Sequence, residues 1–239
     1  MDKLLIIVPA FNEEESIIRV IEEVKNVGLS NDLVVINDCS TDKTEELIRN
    51  LEINIVSHPV NLGAGAAIQT GLKYAQINNY DLMVVVDGDG QHDPKEIPKM
   101  VVALKENLAD VAVGSRFLTN GQSGKQKIHW ARQIGIKIFS VLLSLIVRSK
   151  ITDTTSGFRA FNKRAIKFLA HEMPADFPDA DMLLSLIFAG FKIIEVPVNM
   201  RERIGGRSMY SGLRSVYYPF KLTIAILAVL LKSFLERRK

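Results

Sequence analysis

A single cysteine, Cys39, stands among 239 residues. That excludes an internal disulfide framework and fits a reducing compartment. The start of the chain lacks the small-residue cleavage site of a signal peptide; Lys3 to Pro9 reads instead as a strand. No apolar run reaches the ~20 residues that a membrane-spanning helix needs. The sequence also lacks internal repeats and low-complexity segments. Its basic residues are not interleaved with stacking aromatics beyond Tyr217-Tyr218, which argues against nucleic acid as a partner.

Charge is abundant but unevenly placed. Residues 200–239 carry nine Lys and Arg against Glu202 and Glu236, a local net charge of +7 in a chain of net +3. The body is therefore mildly acidic and the tail basic. Because the tail mixes these charges with Leu and Ile, an anionic membrane surface is its expected partner.

Residues 3–116 alternate apolar strand-like runs (4–8, 33–37, 53–57, 82–86, 110–114) with helical patterns (13–27, 41–50, 64–77, 95–107). This alternation predicts an α/β fold with a mostly parallel sheet between helices. The loops after the first three strands carry Asn12-Glu13, Asp38-Cys39-Ser40 and Asn61-Leu62-Gly63, and should meet at one sheet edge, where ligands bind in such folds. Phe191 to Val198 returns to a strand pattern. Ile134–Val147 is almost wholly apolar and reads either as a buried core helix or as a helix lying in a membrane interface. Tyr217–Leu235 is too uniformly apolar for an ordinary surface helix and predicts an interfacial or partner-bound one.

The densest chemistry lies where Leu82–Val86 ends in Asp87-Gly88-Asp89-Gly90-Gln91-His92-Asp93-Pro94. Buried carboxylates need a counter-charge. If the segment stays extended, Asp87, Asp89 and Gln91 point the same way and offer oxygens to Mg²⁺ or Mn²⁺. A solvated turn is the plainer alternative, and Asp93-Pro94 matches an N-cap followed by proline at the first helical position. Asn12 reads as a helix cap, as do Ser40 and Asp42, while Asp38 could accept a base N–H. The small residues from Gly63 to Ala67 can approach a ribose or phosphate, or simply pack on the sheet.

In order and spacing, Pro9-Ala-Phe-Asn-Glu-Glu14, Asn37-Asp-Cys-Ser-Thr-Asp42, Asn61-Leu-Gly-Ala-Gly65, Asp87-Gly-Asp-Gly-Gln-His92 and Gly114-Ser-Arg116 resemble the family 2 glycosyltransferases. Asp153-Thr-Thr-Ser-Gly-Phe-Arg159 and Glu195-Val-Pro-Val198, followed by Arg203, Gly206 and Ser208, are similar to the dolichol-phosphate mannose synthase branch and its bacterial polyprenyl-phosphate relatives. The resemblance covers residues 3 to about 212. It implies a GT-A fold over 1–212, with 213–239 as a basic apolar membrane- or partner-binding helix. It also implies a UDP- or GDP-linked sugar donor, Mg²⁺ or Mn²⁺, and a polyprenyl phosphate acceptor at the cytoplasmic membrane face.

By the same resemblance, Pro9, Phe11, Glu13, Asp38, Gly63 and Gly88 line the donor. Asp87, Asp89 and Gln91 hold the metal and diphosphate, with Asp89 central to catalysis. Arg116, Arg132 and Arg203 grip phosphates. Ser156, Arg159 and Asp181 shape the acceptor side. The family's usual first Asp of the second loop is Asn37 here, its Gly is Cys39, a basic residue of the third loop is Ala64, and a Ser-Lys pair is Ser208-Met209; Arg207 could stand in for that lysine. A small membrane protein could complete the lipid path. If the acceptor were a glycan hydroxyl instead, Asp179 or Asp181 would have to serve as base. A non-catalytic nucleotide-sugar-binding protein is the reading from another class, and the intact acidic set argues against it.

Overall fold

The computed structural model describes residues 2–106, 109–118, 151–173 and 180–203. Seven strands form one sheet in the order β3-β2-β1-β4-β6-β5-β7. They are β1 (Leu4–Ala10), β2 (Asn31–Asn37), β3 (Asn54–Ser57), β4 (Leu82–Val85), β5 (Val111–Ser115), β6 (Arg159–Asn162) and β7 (Ile193–Pro197). All neighbours pair in parallel except β6, which runs antiparallel between β4 and β5. The helices are α1 (Ile17–Lys25), α2 (Thr44–Arg49), α3 (Ala64–Ile77), α4 (Ile97–Lys105), α5 (Lys163–Glu172) and α6 (Ala180–Phe188), with a 3₁₀ turn at Pro94–Glu96 before α4.

The apolar runs form central strands because both faces of the sheet are covered. Along β1 the residues divide by parity. Leu4, Ile6 and Val8 face a core built with α1, α2 and α4, while Leu5 and Ile7 face one built with α3, α5 and α6. Ile17, Val20, Ile21 and Val24 of α1 are all buried, at the spacing of one helical face. On the other side α3 comes down onto β1 at Gly71, where a side chain's first carbon would lie 2.5 Å from Ile7 Cδ1.

The first helix begins at Ile17 rather than residue 13, and the second at Thr44 rather than residue 41. The early residues are drawn into loop-to-loop bonds instead. Asn12 is not a cap: its backbone is left-handed (φ 54°), and its Oδ1 accepts from Thr41 N at 2.7 Å. Ser40 is not a cap either; its Oγ accepts from Asn12 N. Asp42 does accept from Thr44 N at the start of α2, and Asp93 caps the turn at Pro94 by accepting from Lys95 N.

The short strand β6 and the helix α5 have no counterpart among the expected elements. β6 is four residues long and opens on an arginine, so no strand periodicity marks it. Among the described residues no helix is long and apolar enough to cross a membrane. The expected helices at 134–147 and 213–239 lie outside the described residues.

Gly71→Val should overpack the α3–β1 contact and destabilise the fold by about 1–3 kcal/mol. A urea midpoint equal to wild type would show that Ile7 can move aside at no cost.

Candidate active site

The parallel strands β1, β2, β3, β4, β5 and β7 all end at one sheet edge, and antiparallel β6 begins there, with Arg159 opposite both Val85 and Val113. The loops after these strands and the one before β6 therefore converge, which topology alone makes a ligand edge. The three upstream loops are stitched together. Glu13 N donates to Thr44 Oγ1 (2.8 Å), and Asp38 accepts from Leu62 N, Gly63 N and His58 Nδ1. Gly63 takes φ +90°, a backbone that favours glycine, to deliver its N–H to Asp38. Asp38 is 3% exposed, with both oxygens occupied by the chain's own donors. It clasps the third loop and is not laid open as a base acceptor. Phe11 and Leu62 remain exposed at the lip, and Pro9 is half-buried.

At the end of β4 the chain leaves extended geometry. Gly88 to Gly90 form a turn, with Gly90 left-handed, so Asp87, Asp89 and Gln91 are not held together by strand alternation. Gly88 sits against β1: its N–H donates to Pro9 O, its carbonyl accepts from Ser16 Oγ at 2.7 Å, and a Cβ there would be 3.1 Å from Pro9 O. That packing accounts for the glycine. Asp89 Oδ1 accepts from Gln91 N, and Gln91 O accepts from Arg201 N.

Three carboxylates share this edge. Burial pushes Glu13 up to about 7, Arg203 opposing and Asp89 adding to the shift. Asp87 is pushed up to about 6 by desolvation, against the nearby charges of Arg159 and Arg203. Asp89 is raised by burial and by Asp87. Arg203 spans the group, with one guanidinium nitrogen on Glu13 Oε1 and the other 3.6 Å from Asp89 Oδ2.

His92, which the sequence reading had not singled out as a site residue, lies directly behind Asp87. Its ring is 4% exposed and stacks on Phe158 at 4.9 Å between centroids. Nδ1 accepts from Asp87 N (3.0 Å), which leaves the proton on Nε2, 3.5 Å from Asp87 Oδ2. Burial holds its pKa down to about 4, so the ring is neutral. The signal that could have found it is its place immediately after Gln91.

Arg116 is drawn into a different task. Its Nε and Nη2 each reach an oxygen of Asp153 at 2.7 Å, and Nη2 also donates to Thr155 Oγ1. Asp153 is fully buried. Removing one member of such a pair costs about 3–5 kcal/mol. The loop is held from the other side by Glu195 of β7, which accepts from Thr152 N, Thr152 Oγ1 and Asp153 N. Arg116 is thus a clamp on the 152–155 loop rather than an open phosphate grip. Ser156 and Arg159 are buried beneath the cleft at 1% and 3% exposure, with Arg159 donating to Thr154 O. Asp181 is buried in α6 and accepts from Met182 N. Arg132, Asp179 and Arg207 lie outside the described residues.

Among the described residues no group of three or more His, Cys, Asp or Glu side chains forms an all-protein metal cage. Two carboxylates are nonetheless what a small hard divalent ion takes from protein when substrate phosphates complete its shell. The space fits as well: a Cβ on Gly157 would lie 3.0 Å from Asp87 Oδ2, so glycine leaves that oxygen uncovered.

A family model described as Glycosyl transferase family 2 matches residues 5–169. The chain belongs to this family. It is therefore a glycosyltransferase. It is similar to an undecaprenyl-phosphate mannosyltransferase of Micrococcus luteus, with 28% identity over 88% of each chain. It is 31% identical to a UDP-N-acetylglucosamine–dolichyl-phosphate N-acetylglucosaminyltransferase of Methanococcus voltae over 73% of this chain and 75% of that one. Its fold is that of glucosyl-3-phosphoglycerate synthase from Mycobacterium tuberculosis, a structure containing Mn²⁺ and UDP. The TM-score is 0.73 at 19% identity, covering 95% of this chain and 78% of the other.

The raised carboxylates set a pH dependence for this glycosyltransferase without metal. Glu13 moves from 4.5 to about 7, so the native state holds its proton more tightly than the unfolded chain does. Its contribution to stability is fully present below about 4.5 and is lost as pH rises through about 7. Metal-free protein should thus gain in urea midpoint when pH falls from 8 to 6, and Glu13→Gln should flatten that slope. An unaltered slope in the variant would assign the dependence to other groups.

Proposed function

We propose that this protein transfers a sugar from a UDP- or GDP-linked donor to a polyprenyl phosphate at the cytoplasmic surface of the membrane, using Mg²⁺ or Mn²⁺ held by Asp87 and Asp89. The observation that carries the reading is the pair of carboxylates at the end of β4, both destabilised as anions, with Gly157 presenting no side chain against Asp87. A cation arriving with the donor's diphosphate relieves that cost. The acceptor class is supported by relatives named for undecaprenyl phosphate and dolichyl phosphate.

The chemistry is one inverting displacement. A phosphate oxygen of the lipid attacks the anomeric carbon, the bond from that carbon to the diphosphate breaks, and the electron pair leaves with the diphosphate. A bound divalent ion there supplies Lewis-acid stabilisation of the leaving charge. A lipid phosphate is already an anion, so alignment takes the place of a general base. That agrees with Asp181, whose buried carboxylate is already engaged by Met182 N. Arg203, poised between Glu13 and Asp89, is placed to follow the diphosphate as charge moves onto it. Arg132 and Arg207 are proposed to meet the lipid phosphate. Residues 1–212 serve as the catalytic unit, and 213–239 as its basic apolar attachment to the membrane or to a small membrane protein.

The direct test incubates the protein and membranes with labelled UDP-glucose, UDP-N-acetylglucosamine and GDP-mannose. Label from one donor should enter a mild-acid-labile lipid fraction; label confined to polysaccharide would replace the lipid acceptor with a glycan hydroxyl. Asp89→Ala should lower transfer by about 10²-fold or more, and retained transfer would remove Asp89 from the metal site. Deleting residues 217–239 should release the protein into the soluble fraction, whereas unchanged membrane fractionation would locate the attachment elsewhere.

A further inference from the structure

His92 and Gly157 both stand against Asp87. Its own backbone N–H is tied to His92 Nδ1 at 3.0 Å. Its Oδ2 faces His92 Nε2 at 3.5 Å. Gly157 passes the third side without a side chain, where an added Cβ would lie 3.0 Å from Asp87 Oδ2 and 3.5 Å from His92 Cε1. The imidazole cannot swing away, because it stacks on Phe158, itself fully buried, with ring planes 14° apart. His92 is also pinned along its backbone by a β-bridge to Met200.

We propose that His92 is the positioning residue for Asp87: its Nδ1 holds that residue's main chain by a hydrogen bond, and its Nε2 stands beside the carboxylate and biases its orientation. The inference rests on the reading of Asp87 as a metal ligand. The Asp87 side chain keeps 40% of its surface exposed. Fixing its rotamer before the ion arrives removes an ordering cost from binding. A neutral N–H donor orients a carboxylate without cancelling its charge, which an arginine or lysine at the same place would do. Partners of this kind, one step behind a metal ligand, are worth about 10–100-fold in metal affinity or activity.

The test measures Mn²⁺ binding by electron paramagnetic resonance, beside thermal unfolding and steady-state transfer. His92→Phe keeps the stack on Phe158 and removes both ring nitrogens. It should stay folded with a lowered unfolding temperature, because Asp87 N loses its acceptor, bind Mn²⁺ about 10–100-fold more weakly, and recover activity as Mn²⁺ is raised. The Mn²⁺ requirement should therefore shift more than kcat. Wild-type affinity for Mn²⁺ in a folded His92→Phe protein overturns the proposal.

Should His92→Phe fail to fold, the comparison moves to His92→Gln, whose amide N–H extends toward the Nε2 position, and His92→Asn, which replaces only the Nδ1 acceptor. Mn²⁺ binding weaker than wild type in both folded variants supports the proposal, and wild-type affinity in both overturns it. If wild type itself fails to bind Mn²⁺ and transfers sugar without it, the metal reading falls and this inference with it. If wild type binds Mn²⁺ and His92→Phe binds it equally well, only the role of His92 falls.

Discussion

Three carboxylates, Glu13, Asp87 and Asp89, are crowded onto the C-terminal edge of β1 and β4, where burial disfavours the charge on each of them. Most of the surrounding architecture answers that crowding. Arg203 is brought in from the far end of the described chain to bridge Glu13 and Asp89. It arrives because Gln91 and His92 pair with the Met200–Arg201 segment just beyond β7. The acidic loop and its cationic partner are therefore one mechanical unit.

A second layer keeps this unit from collapsing. Glu195 holds the 152–153 backbone, Asp153 holds Arg116, and Gly157 then passes beside Asp87 with no side chain. Buried ion pairs add little net stability, because desolvation offsets most of their attraction. What this one does provide is a fixed path for the segment leading from Asp153 into β6. The wall beside Asp87 is thus held by side chains that are themselves bound to one another.

The alternation of strands and helices was legible from apolar periodicity because β1, β2 and β4 are buried on both faces and admit little else than Val, Ile, Leu and Met. The meeting of the first three loops was legible for the same topological reason. Short β6 was not: four residues beginning with Arg159 carry no periodic signal, and their strand state is conferred by β4 and β5 on either side. Residue roles were harder still. Asp38, Arg116 and Asn12 were each expected to face a ligand or cap a helix, and each is occupied by a partner 24–39 positions away in the chain.

By itself the sequence determined the fold class, the family and the acidic edge, since these depend on local pattern and ordered motifs. Only the tertiary structure decided which polar side chains are still available at that edge. A carboxylate or guanidinium looks the same in a motif whether it is open or clasped. The difference lies in a hydrogen bond or ion pair to a residue remote in sequence, as Asp153 is to Arg116 and Glu13 to Arg203. It took the fold to show that the paired carboxylates stand beside a buried histidine, with one oxygen left uncovered by a glycine.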